Sequence, residues 1–438
     1  MPWANDPAYV LHCRAPDGTP VRLHYRPHAS ELADEDGARL LADAQCVPYE
    51  PIEAVSPDAP GWKSREVRTL KIQLGLRCNY ACSYCSQASS VQEASVTRTA
   101  DAHAFLAGLA GWLQGTPGRI EFWGGEPLLY FAKLEVLVPD LRWRFPAAQL
   151  FLCTNGSLLD EEVLAFIARW DLRVAISHDG PGQHLRGADP LDAPRTAHWL
   201  RELVRRRGGD QGRVAVNVVL TGANADIAET ASWLRARFGD PQLPLETEGV
   251  VSTYDDQAVT GSGRWSEADY ARLHASVVEG FVSGVALEYA SIREKAADFI
   301  AALRTRRPAA AVGQKCAMDD PQRLAVDLQG NVMTCQNTGA RGRHRLGHVA
   351  AMDDVRLDTA THWSLRECCW HCPVVQLCKG GCMYLQDEHF AQSCENEYRY
   401  NVAILAGILR KLTGLRLEEI TGDIRRPARR RTIPIAVA

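Results

Sequence analysis

The chain has 438 residues, 46% apolar and 23% charged, the composition of an ordinary globular protein. Its net charge of −4 argues against nucleic acid as a bulk partner. No apolar run reaches the length of a membrane span, and Met1–Asp6 lacks the basic and apolar regions of a signal peptide.

A cytoplasmic location is therefore expected, with neither membrane nor nucleic acid as a partner. In that compartment fourteen cysteines do not read as a disulfide framework, and those that cluster read as metal ligands.

Residues 8–27 read as a β-hairpin, two β-rich runs around Pro16-Asp17-Gly18. Residues 30–45 have helical spacing, with Ser30 as the N-cap. Residues 47–62 carry four prolines and read as a linker. Residues 1–65 are thus expected to form a small N-terminal α+β unit and linker.

From 66 to 260 the chain takes on a repeating rhythm. Short β-rich runs occupy 67–76, 119–126, 149–156, 172–180, 213–222 and 243–251. Helical patterns lie between them at 102–115, 161–170, 196–208 and 226–239. Such alternation implies βαβ units and a parallel sheet buried on both faces. Six units make a partial (β/α) barrel or a doubly wound sheet, and either fold puts its chemistry at the C-terminal ends of the strands.

Residues 261–310 are expected as a helical bridge, around Glu267–Ser283 and Ser291–Arg304. Residues 311–400 are rich in cysteine. Residues 401–420 read as an apolar-striped core helix, followed to 438 by a tail with Arg425, Arg426, Arg429, Arg430 and Arg431. The tail reads as a solvated end rather than a membrane or RNA contact.

Eleven of the fourteen cysteines fall in two groups, and Cys13, Cys46 and Cys153 stand apart as small buried apolar residues. The first group, Cys78, Cys82 and Cys85, follows the first barrel strand. Thiolates at this spacing can reach three corners of one [4Fe–4S] cubane and leave one iron open. A structural zinc ion, the alternative, is closed by four ligands, and no fourth Cys or His is near in this loop.

Cys78-x3-Cys82-x-Tyr84-Cys85 resembles the cluster motif of the radical S-adenosylmethionine (SAM) superfamily, in which an aromatic residue precedes the third cysteine. Gly124-Gly125-Glu126-Pro127, after the second strand, looks like that family's signature for the methionine amino group. Ser177 and Asp179, at the fourth strand, match its polar pair near the ribose. Asn155 and Asn217 face the same mouth, with a turn or packing role as the alternative.

The resemblance implies a partial (β/α)6 TIM-type barrel. It further implies that Cys78, Cys82 and Cys85 hold a catalytic cluster whose fourth iron is kept for SAM. One electron would then release a 5′-deoxyadenosyl radical that abstracts hydrogen from an unactivated carbon.

Besides Cys368, the second group runs Cys316-x13-Gly330-x4-Cys335, then Cys369-x2-Cys372-x5-Cys378-x3-Cys382, then Cys394. This resembles the seven-cysteine SPASM domain of radical SAM enzymes that modify peptides and proteins. A zinc ribbon is the alternative. The resemblance implies two auxiliary [4Fe–4S] clusters, making three in all. One would be held by Cys316, Cys335 and Cys382, and the other by Cys369, Cys372, Cys378 and Cys394. Seven thiols leave the first auxiliary cluster one ligand short. Asp319, Asp320 or Cys368 is available for that iron, or it stays open to substrate, with Cys368 a free thiol.

The lead expectation is a maturase that crosslinks or otherwise oxidises a ribosomally made precursor peptide, with a flavodoxin- or ferredoxin-type reductant. The N-terminal unit would then offer an edge strand to a leader peptide, or act as a structural cap. The alternatives are an anaerobic sulfatase-maturing enzyme and a non-catalytic electron carrier. The sulfatase-maturing class has an Asp base after the second SPASM cysteine. Here Gln336 and Asn337 follow Cys335, and neither accepts a proton at neutral pH.

Overall fold

A computed structural model describes residues 6–45, 48–88, 98–207, 213–252, 254 and 264–427. The expected hairpin is β1 (Tyr9–Arg14) and β2 (Pro20–Arg26), paired antiparallel from Tyr9↔Tyr25 to Arg14↔Pro20. Residues 30–45 do not form the expected helix. Glu31–Ala33 is a third strand, β3, paired with β2. The cause is local: Asp34 Oδ1 accepts the N–H groups of Asp36 (3.0 Å) and Ala38 (2.8 Å), and Gly37 turns at φ +82°. Ser30 caps nothing, and its Oγ instead donates to the carbonyl of Arg307 at 2.6 Å.

Most of the proline-rich linker is irregular, apart from β4 (Gly61–Trp62). The barrel comes next. Its strands are β5 (Thr69–Gln73), β6 (Arg119–Trp123), β7 (Gln149–Thr154), β8 (Arg173–Ser177), β9 (Val214–Leu220) and β10 (Leu245–Val250), parallel and in sequence order. The covering helices are α1 (Thr99–Trp112), α2 (Phe131–Arg144), α3 (Glu161–Arg169), α4 (Pro194–Arg207) and α5 (Ile227–Phe238).

The period-2 alternation sorts the side chains of each strand. On β9, Val214, Val216, Val218 and Leu220 are fully buried in the core, whereas Asn217 and Val219 line a cavity. On β5, Leu70 and Ile72 enter the core, and Lys71 and Gln73 point the other way. Lys71 Nζ sits 2.9 Å from Glu121 Oε2, and that carboxylate also takes Arg119 Nε (2.6 Å) and Trp123 Nε1 (2.7 Å). Burial alone would raise the Glu121 pKa, but Lys71 and Arg119 outweigh it and hold the group ionised.

After α6 (Glu267–Ser283) and α7 (Ala290–Thr305), the cysteine-rich region does not stand apart. Its strand β11 (Arg323–Asp327) joins β5 in parallel register, and β12 (Asn331–Met333) and β13 (Arg345–His348) continue antiparallel. The sheet therefore has nine strands, in the order β10-β9-β8-β7-β6-β5-β11-β12-β13. A short β14 (Arg356–Leu357) pairs with β4.

The chain then enters α8 (Asp387–Thr413), which runs unbroken through residue 400, where a domain boundary was expected. The expected helix to 420 stops early, because Gly414 adopts a left-handed cap at φ +75° and its N–H bonds the carbonyl of Arg410. Beyond that cap the chain straightens into β15 (Arg416–Gly422), which pairs with β1. The small sheet reads β15-β1-β2-β3, so the outer side of the hairpin is already covered by the chain's own strand. The tail is not a simple solvated end either. Arg425 pairs with Asp423 and Glu367, and Arg426 with Glu395. Arg429, Arg430 and Arg431 lie outside the described residues, as does Cys46. Among the described residues no helix is long and apolar enough to cross a membrane.

Candidate active site

The loop after β5 is held by the segment after β6. Gly75 turns at φ +153°, and the ring of Tyr130 fills the space a Cβ would need. Tyr130 Oη accepts the N–H of Arg77 at 2.7 Å. The N–H of Gly125 donates to the carbonyl of Gly75 (3.0 Å), and that of Glu126 to Arg77 (2.9 Å). A Cβ at Gly124 would lie 2.5 Å from the carbonyl oxygen of Gly75, and one at Gly125 closer still to those of Leu76 and Arg77. Both glycines thus seat the strand-to-helix turn directly under the cysteine loop.

Within that loop, Cys78 Sγ accepts from Tyr80 N–H and Cys85 Sγ from Gln87 N–H, each at 3.4 Å. These bonds aim the two thiols before any partner arrives. Glu126 is buried, and its oxygens accept from Leu128 N–H (3.0 Å), Thr154 Oγ1 (2.7 Å) and Asn155 N–H (2.8 Å). Burial raises its pKa against those bonds. Asn155 Nδ2 in turn donates to Asn79 Oδ1 at 2.9 Å, tying the β7 turn to the cysteine loop.

Cys78, Cys85, Glu126, Thr154 and Asn155 border one open cavity of about 510 Å³. Cys78, Cys82, Tyr84, Cys85 and the Gly124–Pro127 turn line one wall, with Asn155 just past the end of β7, Ser177 at the end of β8 and Asn217 midway along β9. Asp179 is not a lining residue. It is fully buried, with Oδ1 accepting Val219 N–H at 2.9 Å and Oδ2 accepting the hydroxyl of Tyr84. Arg186 completes the group: Nη1 donates to Tyr84 Oη at 3.0 Å and lies 3.7 Å from Asp179 Oδ1. Asp179 therefore positions Tyr84 from behind the wall.

A family model described as Radical SAM superfamily matches residues 72–234, which span these strands and the cysteine loop. These residues are a radical SAM domain. Proteins of this family bind SAM and a [4Fe–4S] cluster.

An uncharacterized protein of Methanocaldococcus jannaschii is 30% identical over 117 residues, 26% of this chain and 39% of that protein. The chain thus matches only about two fifths of that relative's length. Among solved structures, native anSMEcpe with bound AdoMet and the Cp18Cys peptide superposes with a TM-score of 0.55 at 19% identity, over 76% of this chain and 99% of that one. Streptococcus suis SuiB bound to precursor peptide SuiA gives 0.44 at 14% identity, over 73% and 72% of the two chains.

The far wall of the radical SAM domain's cavity comes from the cysteine-rich region. Cys316, Cys335 and Cys382 line it. Two glutamines join the walls: Gln87 Nε2 donates to the carbonyl of Gln336 (3.0 Å), and Gln73 Nε2 to those of Gln336 (3.2 Å) and Thr338 (2.9 Å). Sequence reasoning missed three other lining residues, Glu248, Tyr254 and Lys315, which carry no motif. It also read Cys153 as packing only. Cys153 lines this cavity, with Sγ 3.4 Å from Ser177 Oγ, and burial raises its thiol to about 12.

Cys369, Cys372, Cys378 and Cys394 line a second, smaller cavity beside α8. Cys368 lines this one and not the first, so it stands away from the site that is a ligand short. Cys382 borders both. Among the described residues, no group of three Cys, His, Asp or Glu side chains is arranged to hold a single metal ion. The thiols that line each cavity are the donors an iron–sulfur cluster takes. Cys368→Ala is expected to leave the total iron of the anaerobically reconstituted protein within error of wild type. Loss of about four irons, one cluster's worth, would make Cys368 a ligand.

Proposed function

We propose that this protein is a radical SAM oxidoreductase that abstracts a hydrogen from a ribosomally made peptide and installs a crosslink or another oxidative modification. The observation that carries the reading is the shared cavity. The wall with Cys78, Cys82, Cys85 and Glu126 faces the wall with Cys316, Cys335 and Cys382 across one open space. A substrate there touches both.

In this reading Cys78, Cys82 and Cys85 hold the SAM-binding cluster, with Glu126, Ser177 and the Gly124–Pro127 turn around SAM. That cluster and SAM together supply one-electron cleavage to a hydrogen-abstracting radical. Cys316, Cys335 and Cys382 hold one auxiliary cluster, and Cys369, Cys372, Cys378 and Cys394 the other. The chain's residues bind and orient the substrate and exclude water. Tyr84 is fixed by Asp179 and Arg186 beside the catalytic thiols. Gln336, in the wall beside Cys335, has a buried Oε1 without a hydrogen-bond partner among the described residues and is not a base. This weighs against sulfatase maturation. The shared fold with anSMEcpe, whose structure holds AdoMet and a peptide, supports a peptide substrate. A flavodoxin- or ferredoxin-type protein would supply electrons.

The test is anaerobic incubation with SAM, dithionite and the short peptides encoded beside the gene. Formation of 5′-deoxyadenosine with a mass loss of two hydrogens in one peptide supports the reading. A sulfatase fragment gaining formylglycine, with the peptides unchanged, would replace it. Reconstituted protein is expected to carry on the order of twelve irons per chain and no stoichiometric zinc. Metal and sulfide analysis checks this, and zinc with little iron would sink the three-cluster assignment.

A further inference from the structure

The basic tail contributes a side chain to the second cysteine cavity. Arg426 lies four residues beyond the end of β15 and lines that cavity with Cys369, Cys372, Cys378 and Cys394. Its guanidinium is held on three sides. Nη2 donates to the carbonyl of Cys394 and to Glu395 Oε2, each at 3.1 Å, and the group lies 4.0 Å from the ring centre of Tyr398.

Nη1 is different: it is buried and has no hydrogen-bond partner among the described residues. Nearby Arg366 is spent otherwise, on the carbonyls of Met383 (2.9 Å) and Leu385 (2.8 Å) and against Phe390. A partly buried cation with a buried, unused donor, bordering a space ringed by thiols, calls for an occupant with negative charge and accepting atoms. A cluster with thiolate ligands and sulfide corners has both.

We propose that Arg426 is a positioning residue for the second auxiliary cluster, its free Nη1–H donating to a sulfur of that cluster and its charge raising the cluster's reduction potential. The proposal rests on the cluster assignment given under Proposed function. The physical ground is that added negative charge on reduction is stabilised by a nearby cation and by N–H···S bonds, both known levers on iron–sulfur potentials.

The experiment uses the full chain, reconstituted anaerobically in a Cys78→Ala, Cys82→Ala, Cys85→Ala background, so that only auxiliary clusters contribute. Potentiometric titration with EPR detection reads their midpoints, and adding Cys372→Ala identifies the signal of the second cluster. Arg426→Met is expected to keep the parent's iron content and to shift that signal's midpoint to more negative potential, leaving the other unchanged. Arg426→Lys is expected to recover part of the shift. An unshifted midpoint in Arg426→Met overturns the proposal. If Arg426→Met loses iron, Arg426→Lys decides. Retention of iron by the lysine variant supports the proposal, and loss in both variants overturns it, because packing rather than charge would then be at work. If Cys372→Ala removes no iron from the parent, the cluster assignment itself is refuted, and the proposal falls with it.

Discussion

A Cys78→Ala, Cys82→Ala, Cys85→Ala variant is expected to form no 5′-deoxyadenosine and to lose about four irons. These three thiols line the cavity together with Glu126 and the Gly124–Pro127 turn, the place the proposal gives to SAM. The seven cysteines assigned to the auxiliary clusters are untouched, and about eight irons should remain. A Cys372→Ala variant is expected to do the reverse: it still forms 5′-deoxyadenosine but gives little or no modified peptide. Metal binding energy is also folding energy, so a thermal melt must accompany each assay. Reductive SAM cleavage by the triple variant would move the catalytic cluster elsewhere. Wild-type product formation by folded Cys372→Ala would exclude the second auxiliary cluster from turnover.

Gly125→Ala is expected to cut SAM cleavage by roughly tenfold or more, although it adds one methyl group and touches no cysteine. The new Cβ would meet two carbonyl oxygens, those of Leu76 and Arg77, which belong to backbone and cannot swing aside. Either the turn or the cysteine loop must move, and both carry groups of the site. Overpacking of this kind costs about 1–3 kcal/mol, so a lower Tm is expected as well. Gly108→Ala is the control: that glycine sits on α1 with nothing within 4 Å of its added Cβ. Wild-type SAM cleavage in Gly125→Ala would show that the close approach to the loop is not needed.

The barrel was readable in the sequence because each strand is a short apolar run that ends in turn chemistry, such as Gly124-Gly125 or Asn155-Gly156. The cysteine groups were readable because ligand spacing is local. Helix α2 was hidden by Pro139, although Leu134, Leu137, Val138 and Leu141 have helical spacing and are fully buried. The turn around Asp34 and Gly37, and the stop at Gly414, were present as signals but were overridden by apolar periodicity. The rest is tertiary. Nothing near Arg186 announces that it will meet Tyr84 and Asp179, and nothing in a run of arginines marks Arg426 as the one facing thiols. The barrel's interior ion pair, Lys71 with Glu121, is equally invisible, since each looks like a solvated charge until two parallel strands align them.

The pairing of β1 with β15 also sets a schedule. His12 bonds Thr421, 409 positions later in the chain. At synthesis rates of roughly 5–20 residues per second, the first strand waits about 20–80 s for that neighbour. Arg426 emerges after β15, so the second cysteine cavity receives one part of its wall only after all of its thiols have left the ribosome. Delivery of the proposed cluster to that cavity would thus have a natural window, between the emergence of Cys394 and the docking of the tail. Once the tail docks, the cavity and the small sheet are bordered by the same short segment.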